Sequence, residues 1–361
     1  MSAGRPSGSR SSRDLAAALV AALVAACGAR DVSIEPAAGL ALASAASRGV
    51  LSYAVAFADR LLVSVELGTG FELVTRSLDP ASGRLTERAR FSLGPQDWDV
   101  VDLALVEGGP ALVASAAGTV RALDLDTGRV TATWHLGAAA TAVAVSPDGR
   151  LAATGSASGV VCLRRLGDGA LLQCLVAHEA PVSSLDFDPA GRRLASAGWD
   201  GRVAIWSVPQ LAAVAELDGL GSANQVAFAP DGRSVAIAAS GAPPRRTPQV
   251  ASREQHAPAA DPAARVLVWR PGALPARELR GHGGPVTAVA WSGRHLLSAS
   301  WDRTVRLWDA GTGRELSRVA GFSHLLRDVA VARGGSWAAA AAWAAGPGDP
   351  ATVLLALRHP P

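Results

Sequence analysis

One short turn sequence returns at a nearly constant interval along the middle of the chain. It reads SPDGR at 146–150, DPAGR at 188–192 and APDGR at 229–233, so the copies begin 42 and then 41 residues apart. Each copy lies between two short apolar runs, and its Pro, Asp and Gly residues favour a tight turn. A period of about 40 residues made of short strands and turns indicates a repeating, all-β architecture.

Two longer stretches, 177–207 and 281–309, align with each other over their whole length once one turn in the second is shortened by two residues. Both begin with a His, continue through a Ser and an Asp in a turn, and end on a Trp in an apolar run. The four aligned pairs are His178 with His282, Ser196 with Ser298, Asp200 with Asp302, and Trp206 with Trp308.

This pattern of Gly-His, a polar turn and a terminal Trp-Asp resembles the WD40 repeat. The resemblance implies that each set of four residues forms a hydrogen-bonded structural tetrad. The chemistry fits, because Trp only donates, Asp accepts, and His and Ser do both. A catalytic reading of His282, Ser298 and Asp302 is disfavoured because the same set recurs in the other repeat.

The period predicts a closed seven-bladed β-propeller of four-stranded antiparallel blades over residues 46–357. The last blade offers only three plausible strands in the sequence. Propellers of this family close with a strand from elsewhere in the chain, and the segment 27–45 contains a strand-like run between Val32 and Ala45. Closure removes exposed sheet edges. The predicted blades lie near 46–94, 95–136, 137–178, 179–219, 220–280, 281–321 and 322–357.

One segment, 241–264, interrupts the repeat and is rich in Pro, Ala and charged residues. The alignment places it between the second and third strands of its blade, on the rim that WD40 proteins use for partners. A loop of this length is usually functional or disordered. We interpret it as a flexible insertion, with a partner-binding loop as the alternative.

The N-terminus has a different composition from the repeats. Three Arg residues precede an apolar run that ends at Val24-Ala25-Ala26-Cys27 and is too short to span a membrane. This arrangement resembles a bacterial lipoprotein signal, with cleavage after residue 26 and lipid attached to Cys27. It predicts an exported protein anchored in the cell envelope, with the outer membrane slightly favoured. The alternative is a cytosolic protein with a misread N-terminus.

The other two cysteines, Cys162 and Cys174, lie symmetrically about the turn Gly167-Asp168-Gly169. In a hairpin centred on that turn they would face each other and could form a cross-strand disulfide. The alternative is that both are small buried apolar residues.

The charge pattern argues against nucleic-acid binding. All 34 basic residues are Arg, but they are scattered among 31 acidic residues and the net charge is only +3. The sequence has no Walker A motif, no G-x-S-x-G elbow and no spacing typical of metal ligands, so we predict no enzymatic activity, cofactor, metal or small-molecule substrate. The predicted function is a scaffold that binds a protein partner through its rim loops. A cell-envelope assembly factor and a cytosolic WD40 interaction module are the alternatives.

Overall fold

A computed structural model describes residues 40–45, 51–67, 70–94, 100–242, 260–273, 275–320, 322, 325–342 and 352–357. These residues form 28 β-strands and no helix. The strands assemble into seven antiparallel sheets of four strands each. The predicted all-β propeller is therefore confirmed.

The first four blades follow one another directly along the chain. Blade 1 consists of β2 (Leu51–Ala58), β3 (Leu61–Leu67), β4 (Phe71–Asp79) and β5 (Arg84–Ser92). Blade 2 consists of β6 (Val100–Leu105), β7 (Ala111–Ser115), β8 (Thr119–Leu123) and β9 (Val130–His135). Blade 3 consists of β10 (Ala140–Val145), β11 (Leu151–Ser156), β12 (Val160–Arg165) and β13 (Leu171–Val176). Blade 4 consists of β14 (Val182–Phe187), β15 (Arg193–Gly198), β16 (Val203–Ser207) and β17 (Ala213–Leu217).

The remaining blades complete the ring. Blade 5 consists of β18 (Ser222–Phe228), β19 (Val235–Ser240), β20 (Arg265–Trp269) and β21 (Arg277–Leu279). Blade 6 consists of β22 (Val286–Ser292), β23 (His295–Ser300), β24 (Val305–Asp309) and β25 (Glu315–Val319). Blade 7 consists of β26 (Leu326–Val331), β27 (Trp337–Ala342) and β28 (Thr352–Leu357), with β1 (Leu40–Ala45) as its outermost strand.

The closing strand lies where the sequence predicts it. In β1, Leu40 pairs with Leu357 and Ala45 with Val353, antiparallel to β28. The first strands of successive blades contact one another all the way round, including β2 of blade 1 with β26 of blade 7. The N-terminal strand therefore supplies the fourth strand of the last blade and closes the ring.

The hydrophobic core lies between the blades. Each pair of neighbouring blades shares a cluster of buried apolar side chains from its facing sheets. The second strand of every blade is the most deeply buried, and in blade 7 it is a run of alanines whose small side chains allow close packing of the sheets. Because antiparallel strands alternate in direction, the turns between second and third strands lie on the same face as the segments that enter each blade. We call this the upper face.

Candidate functional site

The four residues predicted to interact in blade 4 lie together just below the upper face. Trp206 Nε1 is 2.9 Å from Ser196 Oγ, and His178 Nε2 is 2.8 Å from the same oxygen. His178 Nδ1 is 3.1 Å from both carboxylate oxygens of Asp200. In the pairing of β15 with β16, Ser196 lies opposite Ala204, so Trp206 is its diagonal neighbour, and the turn after β15 carries the Asp.

Blade 6 repeats this arrangement. Trp308 Nε1 is 2.8 Å from Ser298 Oγ, His282 Nε2 is 2.7 Å from that oxygen, and His282 Nδ1 is 2.8 Å from Asp302 Oδ2. Thr304 adds a hydroxyl 2.6 Å from the other carboxylate oxygen of Asp302. The two clusters are shielded from solvent, because the imidazole side chains of both blades are fully buried.

The chemistry of the four side chains fixes the direction of each hydrogen-bond chain. The Trp indole only donates and the Asp carboxylate only accepts. The Ser hydroxyl therefore accepts from Trp, and His Nδ1–H donates to Asp. When the imidazole is neutral, the Ser also donates to His Nε2. Burial lowers the pKa of His178 and of His282, against the opposing effect of the neighbouring carboxylates, which is consistent with that state.

The carboxylates also bind the backbone around them. Asp200 accepts from the backbone N–H groups of Glu179 and Arg202, and Asp302 does the same in blade 6 with Gly283 and Thr304. Burial alone would raise the pKa of Asp302, but hydrogen bonds from His282, Thr304 and Gly283 outweigh it and lower that pKa. Each Asp thus ties the second turn of its blade to the segment that enters the blade.

Each of these turns carries a tryptophan on the upper face, a feature that the analysis of the sequence missed. Trp199 and Trp301 immediately precede the two tetrad aspartates and are partly exposed. The backbone N–H of Trp199 donates to Pro181 O at 3.1 Å, and that of Trp301 donates to Pro285 O at 3.0 Å. The sequence does contain a feature that could have indicated these residues, the Trp-Asp pair that recurs in AGWD and ASWD.

Blade 1 builds a polar core from different residues at the same positions. The strand register places Ser64 where Ser196 stands in blade 4, and Arg76 where Trp206 stands. Arg76 Nη1 donates to Ser64 Oγ at 2.8 Å and to Glu66 Oε1 at 2.7 Å, while Ser64 Oγ donates to Glu66 Oε1 at 2.8 Å. Glu66 therefore takes the accepting role of the His, in a blade whose sequence has no tetrad pattern.

The other blades keep less of this cluster. In blade 3, Thr154 and Arg164 occupy the Ser and Trp positions, and the guanidinium of Arg164 lies over the ring of Trp134 at 5.8 Å. Blade 5 retains Trp269, buried, with Ile237 at the Ser position. Blades 2 and 7 are apolar at the Ser and Trp positions, with Val113 and Leu123 in one and Ala340 and Leu355 in the other.

Polar residues on the first strands link neighbouring blades around the channel. One oxygen of Asp102 accepts from Val143 N at 2.9 Å, and one oxygen of Asp328 accepts from Val55 N at 3.0 Å. Likewise, Val289 N donates to Gln225 Oε1 at 2.6 Å, and Phe228 N donates to Asp186 Oδ2 at 2.6 Å. Burial raises the pKa of Asp328, and it raises the pKa of Asp186 to about 7. Asp102 and Asp328 each directly follow an irregularity in strand pairing, which the sequence does not indicate.

Cys162 and Cys174 are joined by a disulfide between β12 and β13, with their Cα atoms 4.1 Å apart. The structure thus pairs the two cysteines across the hairpin instead of burying them separately. Cys27 lies outside the described residues, as do 243–259 of the predicted insertion 241–264.

Within the ranges given above, no group of three or more His, Cys, Asp or Glu residues could hold a metal ion. In the same part of the chain, no helix is long and apolar enough to cross a membrane.

The fold and the polar clusters define a seven-bladed propeller that contains WD40 repeats. The family model described as "WD domain, G-beta repeat" matches residues 129–164, 169–207 and 274–309. Each segment covers the outer strand of one blade and the first three strands of the next, which are blades 3, 4 and 6 in turn. The second and third segments contain the two tetrads.

Several curated proteins are similar to parts of the chain. A Periodic tryptophan protein 2 homolog of Schizosaccharomyces pombe is 37% identical over 98 residues, which is 27% of this chain and 12% of that protein. A Ribosome biogenesis protein WDR12 homolog of Chlamydomonas reinhardtii is 29% identical over 150 residues, 41% of this chain and 26% of that protein. A Guanine nucleotide-binding protein subunit beta of Arabidopsis thaliana is 30% identical over 179 residues, which is 48% of this chain and 41% of that protein. The chain spans less than half the length of each of these relatives.

These relatives correct one prediction. They are proteins of yeasts, algae and plants, and two of the matched proteins are named as ribosome biogenesis proteins. The predicted localisation in a bacterial cell envelope through a lipid anchor is therefore wrong. The sequence pattern that carried it, an apolar run before Cys27, lies outside the repeats and is independent of the fold.

Proposed function

We propose that this chain is a non-enzymatic, cytosolic WD40 interaction module that binds a protein partner through the upper face of blades 4 to 6. The observation that carries the proposal is the pair Trp199 and Trp301. Each is partly exposed, and each follows the same strand of its blade, with blade 5 between them.

The energetics of binding favour such a pair. Tryptophan is enriched among the few residues that contribute most of the affinity at protein interfaces. Binding usually costs free energy because side chains and loops lose freedom at the interface. Here the carboxylates of Asp200 and Asp302 already tie both turns to the segments that enter their blades, so that cost is reduced.

The charges beside the two turns indicate the chemistry of the partner. Arg202, after the first turn, is ion-paired with Glu216, and Arg306, after the second, is 2.7 Å from Glu315. These guanidinium groups are already neutralised within the blade, whereas phosphate recognition uses basic groups that are available to the ligand. The partner that fits best is a protein segment with apolar or aromatic side chains.

A second candidate function follows from the names of the relatives. Two of them are named as ribosome biogenesis proteins, so a component of a ribosome-assembly particle is a reasonable class of partner. The same upper face would then bind a protein of that particle. This candidate differs from the first only in the identity of the partner.

The test is a comparison of partners captured by four forms of the full chain: wild type, Trp199→Ala, Trp301→Ala and the double variant. Arg150→Ala serves as the matched control, since Arg150 is 84% exposed and lies on the opposite face, in the turn between β10 and β11. We expect proteins that wild type and Arg150→Ala retain to be lost from the double variant, with the melting temperature unchanged. Equal capture by the double variant would rule out this face as the binding surface.

Fractionation of the same cells by sedimentation separates the two candidates. If the partner belongs to a ribosome-assembly particle, wild-type protein will co-sediment with such particles and the double variant will not. If wild-type protein sediments only with a smaller complex, the second candidate fails while the first stands.

A further inference from the structure

The exposed apolar side chains of the propeller are concentrated on one sector of its rim. Among the described residues, the large hydrophobic side chains that are exposed all lie on the outermost strands of blades 2, 3 and 4. They are Val130, Leu171, Leu172, Val176 and Val214, exposed by 48%, 54%, 41%, 75% and 54%. Three of the five belong to the single strand β13, so this strand is the centre of the patch.

The strand β13 is one of three outer strands without Asp, Glu, Lys or Arg, together with β9 and β1, and it carries most of the exposed large apolar side chains. Its sequence is LLQCLV and carries no charged residue. Charged residues on edge strands hinder pairing with another strand, and natural proteins commonly protect edges in this way. The outer strands of blades 1, 4, 5 and 6 carry such charges, among them Arg88 of β5, Glu216 of β17, Glu278 of β21 and Arg318 of β25.

The backbone of β13 presents hydrogen-bonding groups outwards at defined residues. Ala177 N donates to Gly159 O at 2.9 Å, and pairing alternates from there along the two strands. The Cα atoms of Cys162 and Cys174 are only 4.1 Å apart, as expected of a pair that shares no backbone hydrogen bonds. The N–H and C=O groups of Cys174 and Val176 therefore point away from β12, towards the open edge of the sheet.

We propose that β13 pairs antiparallel with β13 of a second copy of this chain, joining two blades into one eight-stranded sheet. A symmetric antiparallel pair has a residue opposite itself at the two-fold axis. In a register centred on Cys174, the outward N–H and C=O groups of Cys174 in the two copies bond to each other. Leu172 of each copy then lies opposite Val176 of the other.

This register is self-complementary in side chains as well as in backbone. The apolar pairs formed by Leu172 and Val176 occur twice, and no like charges meet at the axis. The Cys162–Cys174 disulfide fixes the register of β13 on β12, so the edge is held in the orientation that pairing requires. Val130 and Val214 extend the apolar rim to either side of β13.

The test is the oligomeric state of the full-length chain, measured by sedimentation equilibrium over a range of micromolar concentrations. We expect a monomer–dimer equilibrium for wild type. Val176→Lys places a charge opposite Leu172 at both ends of the β13–β13 pair. We expect it to raise the dissociation constant of the dimer at least about tenfold. Leu172→Lys should have the same effect.

The matched control is Thr86→Lys, which adds the same charge at an exposed position of β5, the outer strand of blade 1. It should leave the dimer unchanged. Hydrogen exchange gives a second measurement, since the amides of Cys174 and Val176 should be protected as the concentration rises. A wild-type monomer at every concentration, or a dimer that both Lys substitutions on β13 leave intact, would overturn the proposal. Concentration-independent protection of these amides in a monomer would also overturn it, because another part of the same chain would then cover the strand.

Discussion

Arg76 Nη1 donates a hydrogen bond to Ser64 Oγ between two buried strands of blade 1, at the position where a tryptophan donates to a serine in blades 4 and 6. The guanidinium also contacts Glu66 at 2.7 Å, and both side chains are almost completely buried. Blade 1 therefore satisfies the same central hydroxyl with an ion pair instead of an indole and an imidazole.

The ion pair makes blade 1 sensitive to loss of a single charge. Replacing Glu66 with Ala would leave the buried Arg76 without its closest partner, and breaking a buried pair typically costs about 3–5 kcal/mol. We expect Glu66→Ala to lower the free energy of unfolding by that order, measured by urea denaturation. The double variant Glu66→Ala/Arg76→Met should recover part of the loss, because it removes the unpaired charge. A loss below about 1 kcal/mol for the single variant would contradict this account of the ion pair.

The tetrad of blade 6 yields a second prediction. Asp302 accepts hydrogen bonds from His282, from Thr304 and from the backbone of Gly283. Asp302→Ala would leave buried donors unpaired, at a cost of about 1–3 kcal/mol. We expect a lower melting temperature, measured by calorimetry. Asp126→Ala, at an exposed position of the turn before β9, is the control that should melt like wild type. An unchanged melting temperature for Asp302→Ala would argue against a structural role of the tetrad.

The two buried imidazoles predict a loss of stability in mild acid. Burial lowers the pKa of His178 and of His282 from the ordinary value of 6.5, so the unfolded chain binds protons more readily than the folded one. Stability from these groups is therefore complete above about pH 7 and declines as the pH falls below about 6.5. The urea concentration at the midpoint of unfolding, measured between about pH 7 and pH 5, should fall with the pH. The double variant His178→Gln/His282→Gln should show a shallower dependence, and an equal slope would contradict the assignment.

Asp186 has the opposite effect over an overlapping range. Burial raises its pKa from 3.8 to about 7, so the folded protein binds a proton that the unfolded chain has released. The carboxyl group therefore costs progressively more stability as the pH rises from about 4 to about 7. Asp186→Asn keeps an oxygen that can accept from Phe228 N and cannot ionise. We expect the stability of this variant, relative to wild type, to increase across that range. A constant difference would show that Asp186 ionises normally.

The disulfide of blade 3 permits a direct measurement. It closes a short loop, with its cysteines 12 residues apart, and a loop of that size gives roughly 2–3 kcal/mol in the chain-entropy description. We expect the double variant Cys162→Ser/Cys174→Ser to lose about that much in urea denaturation. Reduction of the wild-type protein should reproduce the loss, and a stability independent of reductant would show that the bond contributes nothing.

The architecture could be predicted because it depends on features that each repeat displays locally. Turn residues at a constant interval identify the blades, and the His, Ser, Asp and Trp of two repeats indicate the polar clusters directly. Even the closing strand follows from counting, because the last blade has one strand too few.

The features that escaped prediction depend on strand register. Arg76, Ser64 and Glu66 match the tetrad only when β3 and β4 are aligned by their hydrogen bonds. Asp102 and Asp328 follow an irregularity in pairing within the first strand, where the register shifts, and such shifts have no clear sequence signature. The localisation failed for a different reason, since it depended on a short N-terminal pattern that lies outside the repeats.

The joint between β1 and β28 has a consequence for synthesis of the protein on the ribosome. Leu40 is made before all the other described strands, but its partner Leu357 is made only after them. Until then β1 has no strand to join, and blade 7 ends in an open edge. The strand β1 therefore has to avoid wrong pairing while the described strands between it and β28 are made. We expect molecular chaperones that shield unpaired β-strands to bind this protein during that interval.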